Sequence, residues 1–228
     1  MNNLIIKELA SLGFFDKSIL TKQTSLILSV RQHTYQSQDA IYHCDTESKS
    51  LFIIKEGLIK LVSHLPNGRS RIVRLHKPGS MIGMDGLMQK DHEHTAIAIK
   101  EVKAYQVPHT ELLSLKEKEP HLYSQLMENL YQYLNYADTW ITDFSTGSIK
   151  SRVARLLLFL ARFESDTGPQ IVELLTTEEM SEVLGVTPES VSRIIAEFKR
   201  EGILESIENK AESLFSCDLD TLKQLTTD

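Results

Sequence analysis

The sequence predicts an α+β chain: an N-terminal β-roll, a long helix and a C-terminal winged helix-turn-helix. Three observations predict this order. Residues 33–110 hold short alternating apolar runs cut by turn signals at Pro66-Asn67-Gly68, Pro78-Gly79 and Gly83, the pattern of many short strands. Residues 111–145 turn helical. They carry Leu126, Leu130, Tyr133, Ala137, Trp140 and Phe144 at separations of 4, 3, 4, 3 and 4, a heptad seam. Thr176 to Gly202 reads as two short helices about a tight turn. The expected division is a roll over 1–110, a seam-bearing helix and hinge over 111–147, and the winged helix-turn-helix over 148–228.

The elements follow in order. Residues 1–32 read as short helices with Ile5, Leu9 and Leu12 on one face. The runs Ser50-Leu-Phe-Ile-Ile, Gly57-Leu-Ile-Lys-Leu-Val and Arg71-Ile-Val-Arg-Leu are strands. The seam, with its Tyr and Trp, favours pairing with a second copy of the chain. Ser145-Thr146-Gly147-Ser148 is an expected hinge. A helix over Ile149 to Phe163 then leads through Asp166-Thr167-Gly168-Pro169 to the two-helix motif. After Gly202, Ile203-Leu204-Glu205 and Ser213-Leu-Phe-Ser form a small hairpin, the wing.

The motif carries its own local chemistry. Thr176 and Glu179 fit a capping box, in which a hydroxyl and a carboxylate satisfy orphan N–H groups at a helix start. Gly185 suits the left-handed residue that ends a helix. Thr187-Pro188 restarts the helix, with Thr as N-cap and Pro at the first position, where its missing N–H is harmless. Val191, Ile194, Ile195 and Phe198 form a buried side, and Glu189, Ser192 and Arg193 lie on another face. A reading helix meets base edges with its N-terminal residues. Arg can bind guanine through two hydrogen bonds, Glu can accept from an exocyclic amine, and Ser can meet a base or phosphate. Thr176, Thr187, Ser190 and Lys199 join them as expected DNA contacts.

Composition narrows the class. With 41% hydrophobic and 25% charged residues the chain is an ordinary soluble protein. No signal peptide is evident, and the longest apolar run, Leu156 to Ala161, is far too short to span a bilayer. Two cysteines, Cys44 and Cys217, give neither a disulfide framework nor a four-cysteine metal site, so a reducing cytoplasm is expected. No basic neighbour of Cys44 lowers its pKa, and an inert thiol is expected. The formal charge of −6 lies wholly in residues 148–228, which hold 9 Lys and Arg against 15 Asp and Glu. DNA affinity rests largely on cations meeting phosphates. The expected cations are Lys150, Arg152 and Arg155 ahead of the motif, and Arg193, Lys199 and Arg200 within it.

Several stretches together resemble one family. They are Leu51-Phe-Ile-Ile-Lys-Glu-Gly57, Asn67-Gly68-Arg69, Pro78-Gly79-Ser-Met-Ile-Gly83, Ser151-Arg-Val-Ala-Arg-Leu156 and Leu184-Gly-Val-Thr-Pro-Glu-Ser-Val-Ser-Arg-Ile194. The order is similar to that of the cyclic-AMP receptor protein and fumarate-nitrate reduction regulator (CRP/FNR) family, over essentially the whole chain. The resemblance implies a cyclic-nucleotide-binding-like roll and a cytoplasmic, non-enzymatic, homodimeric transcription regulator with RNA polymerase as partner. On the FNR-like branch a Glu followed by Ser-Arg reads a TTGA-type half-site. Glu189, Ser192 and Arg193 therefore imply an inverted repeat of TTGA and TCAA. Pro188 stands where the receptor branch carries a further Arg, which disfavours that branch's site.

By the same resemblance, Gly83, Met84, His94, Thr95, Ala137 and Asp138 form the candidate effector pocket. Gly83 and Thr95 match the cyclic-nucleotide pattern, but Met84 replaces a Glu and His94 replaces the phosphate-binding Arg. Asp138 brings a carboxylate where a hydroxyl would meet the base. These changes argue against cyclic AMP. The four cysteines of the oxygen-sensing members' iron–sulfur cluster are absent. Some members bind haem in the roll, and Met84, His92 and His94 are the candidate ligands. The bland expectation for His92-Glu93-His94 is a solvated hairpin tip. Two rival classes are an enzyme using His92, His94 and Asp85 as metal ligands, and a DNA-compacting protein without sequence preference. The first lacks a nucleophile–base pair, and the acidic C-terminal part argues against the second.

Overall fold

A strand with apolar residues on both faces must be covered on both faces, and Leu51 to Ile54 is such a strand. In the computed structural model, which describes residues 2–12, 21, 24–118, 120–164, 171–207 and 213–226, this run lies in β3 (Ser50–Glu56). Leu51 and Ile53 join a core with Leu9 of helix α1 (Asn2–Ser11), Leu26 and Ile27 of α2 (Thr24–Ser29), and Leu112 of α3 (His109–Lys118). Phe52 and Ile54 point the other way, into a second core with Ile59, Ala96, Ala98 and Val102. The period-2 alternation of a strand thus splits one apolar run between two cores.

Two four-stranded antiparallel sheets build the roll, in the orders β1-β8-β3-β6 and β2-β7-β4-β5. The first uses β1 (Arg31–Tyr35), β8 (Val102–Pro108), β3 and β6 (Met81–Ile82). The second uses β2 (Ala40–Tyr42), β7 (Thr95–Ala98), β4 (Ile59–His64) and β5 (Ser70–His76). Gly57, at φ +93°, makes the turn from β3 to β4. A Cβ there would come within 2.3 Å of the Glu101 carbonyl, so only glycine fits. Short N-terminal helices are present as expected, among the described residues α1 and α2, with Leu9 fully buried and Ile5 and Leu12 packed on the same core.

The helical stretch from 111 is two helices rather than one: α3, then α4 (Pro120–Ser145), which starts on a proline. The chain divides into two compact units, Met1–Leu134 and Asn135–Asp228, so the division falls within α4.

The second unit continues with α5 (Ile149–Glu164), β9 (Ile171–Glu173), α6 (Thr177–Leu184), α7 (Pro188–Arg200), β10 (Leu204–Ser206), β11 (Leu214–Cys217) and α8 (Leu219–Gln224). The wing is three-stranded, ordered β10-β11-β9. Its third strand, β9, is too short for periodicity to have marked it. The expected loop at Asp166–Pro169 lies outside the described residues. Val153, Ala154, Leu156 and Leu157 of α5 are fully buried and seat the motif.

Trp140 and Phe144 differ from the seam expectation. Both are buried within their own unit, where they pack edge-on against Phe159 of α5 and against each other. Among the described residues, α4 instead exposes Tyr131, Tyr136, Asp138 and Ile141 among others, with Ala137 half-buried. Leu126, Leu130 and Tyr133 lie on α4, but their side chains fall outside those described. The stretch read as a hinge is also held. Arg152 Nε donates to the Phe144 carbonyl at 2.9 Å, and the Arg155 guanidinium donates to the carbonyls of Asp143, Thr146 and Thr226. Two guanidiniums thereby cap the open carbonyl end of α4, which a flexible joint would leave to water.

Candidate nucleic-acid interface

The turn between α6 and α7 is set by its capping chemistry. Thr176 Oγ1 accepts from the Glu179 N–H, and Glu179 Oε2 accepts from the Thr176 N–H, both at 3.1 Å, so the capping box forms as read. Gly185 closes α6 in the left-handed conformation at φ +62°, its N–H donating to the Ser181 carbonyl. Thr187 caps α7 and accepts from the Ser190 N–H, with Pro188 at the first position. Met180, Val183, Leu184, Val191, Ile194, Ile195 and Phe198 are buried between the two helices and α5. That fixes which face of α7 looks outward.

Glu189, Ser192, Arg193, Lys199 and Arg200 are exposed on α7, as are Thr187 and Thr176 at the two caps, while Ser190 is half-buried beside Thr187. The Glu189 carboxyl is held below its usual pKa by its own backbone N–H and by the Thr187 hydroxyl, so it is an anionic acceptor at the helix start. It is not paired with Arg193. Among the described residues Arg193 makes no hydrogen bond or ion pair, which leaves its five donors available. Lys199 is less free, its ammonium lying 4.2 Å from the centre of the Phe215 ring on β11.

The three cations expected ahead of the motif are corrected here. Arg152 and Arg155 are committed to backbone carbonyls. Lys150 Nζ lies 2.7 Å from Glu197 Oε1 and 3.6 Å from Glu201 Oε2. The pairing of Lys150 with Glu197 is hidden in the sequence, because the two are 47 positions apart.

In the roll, a cavity of about 340 Å³ is lined by Gly83, Met84 and His94 together with Tyr42, Arg74, His76, Asp85 and Glu93. Thr95 is not in its wall: it is buried and its hydroxyl accepts from the Cys44 N–H at 3.1 Å. Ala137 and Asp138 fall in the other unit. His76 is fully buried, and that burial, with Arg74 beside it, pushes its pKa down to about 3, so it is neutral. The solvated reading of His92 is corrected. It is 4% exposed, stacked on Tyr42 at 3.7 Å and 3.3 Å from the Asp85 carboxylate, and Tyr42 in turn packs against the second core.

Of the three candidate haem ligands, Met84 and His94 line the cavity, with Met84 also packed against the first core, while His92 stacks on Tyr42. Among the described residues no three His, Cys, Asp or Glu are placed to hold a metal ion. The Cys44 thiol is raised above its usual pKa by burial and by the Asp45 and Glu93 carboxylates, which does not favour a reactive thiolate. One residue escaped sequence reasoning altogether. His109 is buried at the start of α3, with Nδ1 3.0 Å from the Ser48 carbonyl and Nε2 2.9 Å from that of Gly83.

A β-roll followed by a winged helix-turn-helix with an open reading face defines a DNA-binding transcription regulator, and comparison with known proteins gives the family. Residues 32–119 match the cyclic nucleotide-binding domain and residues 151–225 the Crp-like helix-turn-helix domain. The chain belongs to the CRP/FNR family of transcription regulators. The transcriptional regulator LdrP of Thermus thermophilus is 28% identical over 172 residues, covering 75% of this chain and 85% of that protein. The fumarate nitrate reduction regulatory protein of Klebsiella oxytoca is 26% identical over 192 residues, covering 83% and 76%. Among solved structures, FixK2 from Bradyrhizobium japonicum superposes with a TM-score of 0.76 at 22% identity, over 87% of this chain and 98% of that one. Among the described residues no helix is long and apolar enough to cross a membrane.

Proposed function

We propose that the protein is a homodimeric regulator that reads an inverted repeat of TTGA and TCAA through Glu189, Ser192 and Arg193. The observation that carries this reading is Arg193, exposed on the outward face of α7 one turn from Glu189 and unpaired among the described residues. An unpaired guanidinium there can take the O6 and N7 of guanine, while the anionic Glu189 accepts from an exocyclic amine. Likeness to a fumarate nitrate reduction regulatory protein supports the FNR-like half-site.

The exposed Tyr131 and Ile141 of α4, 65% and 60% accessible, support dimerisation along that helix. Pairing would set two recognition helices one DNA turn apart. RNA polymerase is the partner that such a regulator would engage. The roll over 1–110 serves as sensor, α4 as the pairing element, and 148–228 as the reading head.

The cavity beside Gly83 supports control by a small effector. Its wall sets the carboxylates of Asp85 and Glu93 against the guanidinium of Arg74, with His94 where the family pattern carries a phosphate-binding Arg, which disfavours a cyclic phosphate. Arg193→Ala is expected to weaken binding to the palindrome by about 1–3 kcal/mol per half-site and to relax selectivity at the guanine. Fluorescence anisotropy with labelled duplexes measures this. Equal binding of wild type and variant to the palindrome would overturn the assignment.

A further inference from the structure

Arg193 lies near a carboxylate that is occupied by another cation. Glu197 lies four residues after Arg193 on α7, the spacing at which oppositely charged helix residues meet. Its carboxyl is held below its usual pKa by Lys150 first, with weaker contributions from Arg200 and Arg193. Lys150 reaches it from the first turn of α5, at 2.7 Å, and its ammonium also lies 5.7 Å from the centre of the Phe198 ring. Both side chains of the pair are partly covered, at 31% and 27% accessible.

We propose that Lys150 is a positioning residue for base reading: by holding Glu197 it keeps Arg193 unpaired and free to meet guanine. The proposal rests on the reading of Arg193 as the guanine contact. Without Lys150, the cations left beside Glu197 are Arg193, one turn before it, and Arg200, three residues after it. Pairing with Arg193 would draw the guanidinium back along the helix surface. The i, i+4 pair so formed must be broken each time the base is bound. Lys150 thus controls specificity without touching DNA, and does so from the helix that carries the buried core rather than from the reading helix.

The test is the ratio of affinities for the TTGA palindrome and for the same duplex with adenine in place of each guanine. Full-length wild type, Lys150→Met, Lys150→Arg and the double variant Lys150→Met/Glu197→Gln are compared by anisotropy. Fluorescence of Trp140 confirms that each is folded. Lys150→Met should reduce the guanine preference about two- to fivefold, one helix pair's strength at each of two half-sites. Lys150→Arg, which keeps the ion pair, should retain the preference. Removing the competing carboxylate in the double variant should restore it.

An unchanged preference in Lys150→Met overturns the proposal, and so does a loss that Glu197→Gln fails to recover. An equal loss on both duplexes, with a salt slope lowered by about two (one phosphate contact per protomer), would make Lys150 a phosphate contact instead. If wild type itself shows no preference for guanine, the base reading falls in that first arm, before any variant is considered.

Discussion

Acid should loosen the roll through His76, and the size of the effect follows from its burial. The ring is neutral in the folded state, with a pKa near 3, while in the unfolded chain it titrates near the ordinary 6.5. The folded pKa is the depressed one. Between those values the unfolded chain binds a proton that the folded chain does not, so stability falls as pH falls. For one such site the slope approaches about 1.4 kcal/mol per pH unit. Integrated from pH 6.5 to pH 5, that amounts to about 1.6 kcal/mol. His109, whose pKa is also lowered by burial, acts in the same direction. The perturbation is His76→Leu, which removes the titration whatever it does to absolute stability. Urea unfolding of the N-terminal unit, followed through hydrogen exchange in β3 and β4, gives the free energy at each pH. The gap between wild type and variant should shift by about 1.6 kcal/mol in the variant's favour across that range. Parallel pH dependences, or a His76 resonance that titrates near pH 6.5, would refute the reasoning.

Two further outcomes test the packing and the motif. Gly57→Ala forces a Cβ to within 2.3 Å of the Glu101 carbonyl at a φ of +93°, and should destabilise the roll by about 1–3 kcal/mol, read as a lower urea midpoint. Thr176→Ala removes one arm of the capping box and should cost about 1 kcal/mol in the C-terminal unit, seen in the unfolding of Trp140 fluorescence.

Much of the fold is legible in the residues because local chemistry decides it. The cap at Thr176, the left-handed Gly185 and the restart at Thr187-Pro188 each follow from side chains within four positions of one another. The alternation in β3 likewise announces a strand, although not that two cores share it. What the sequence hides is what long-range packing decides. Trp140 and Phe144 keep heptad spacing, yet Phe159 claims both, since spacing gives a face and not its partner. Lys150, Arg152 and Arg155 look like cations awaiting phosphate until the fold brings Glu197 beside the first and carbonyls of the α4 end and Thr226 beside the others. His92 reads as solvated because its neighbours are polar, and it is buried because Tyr42, fifty residues earlier, lies flat against it. The exposed face of α7 is legible for the converse reason: among the described residues Glu189, Ser192 and Arg193 stay exposed on it.

Arg155 has a mechanical consequence. Its guanidinium is fastened to Asp143 and Thr146 at the end of α4 and to Thr226 beyond α8, and the turn between α4 and α5 is closed by Arg152. Torque applied to the last turns of α4 therefore reaches α5, and through their shared core α7, with little slack. A small rotation of that helix would be delivered to the reading residues as a change of aim, with no need to reshape the head that carries them.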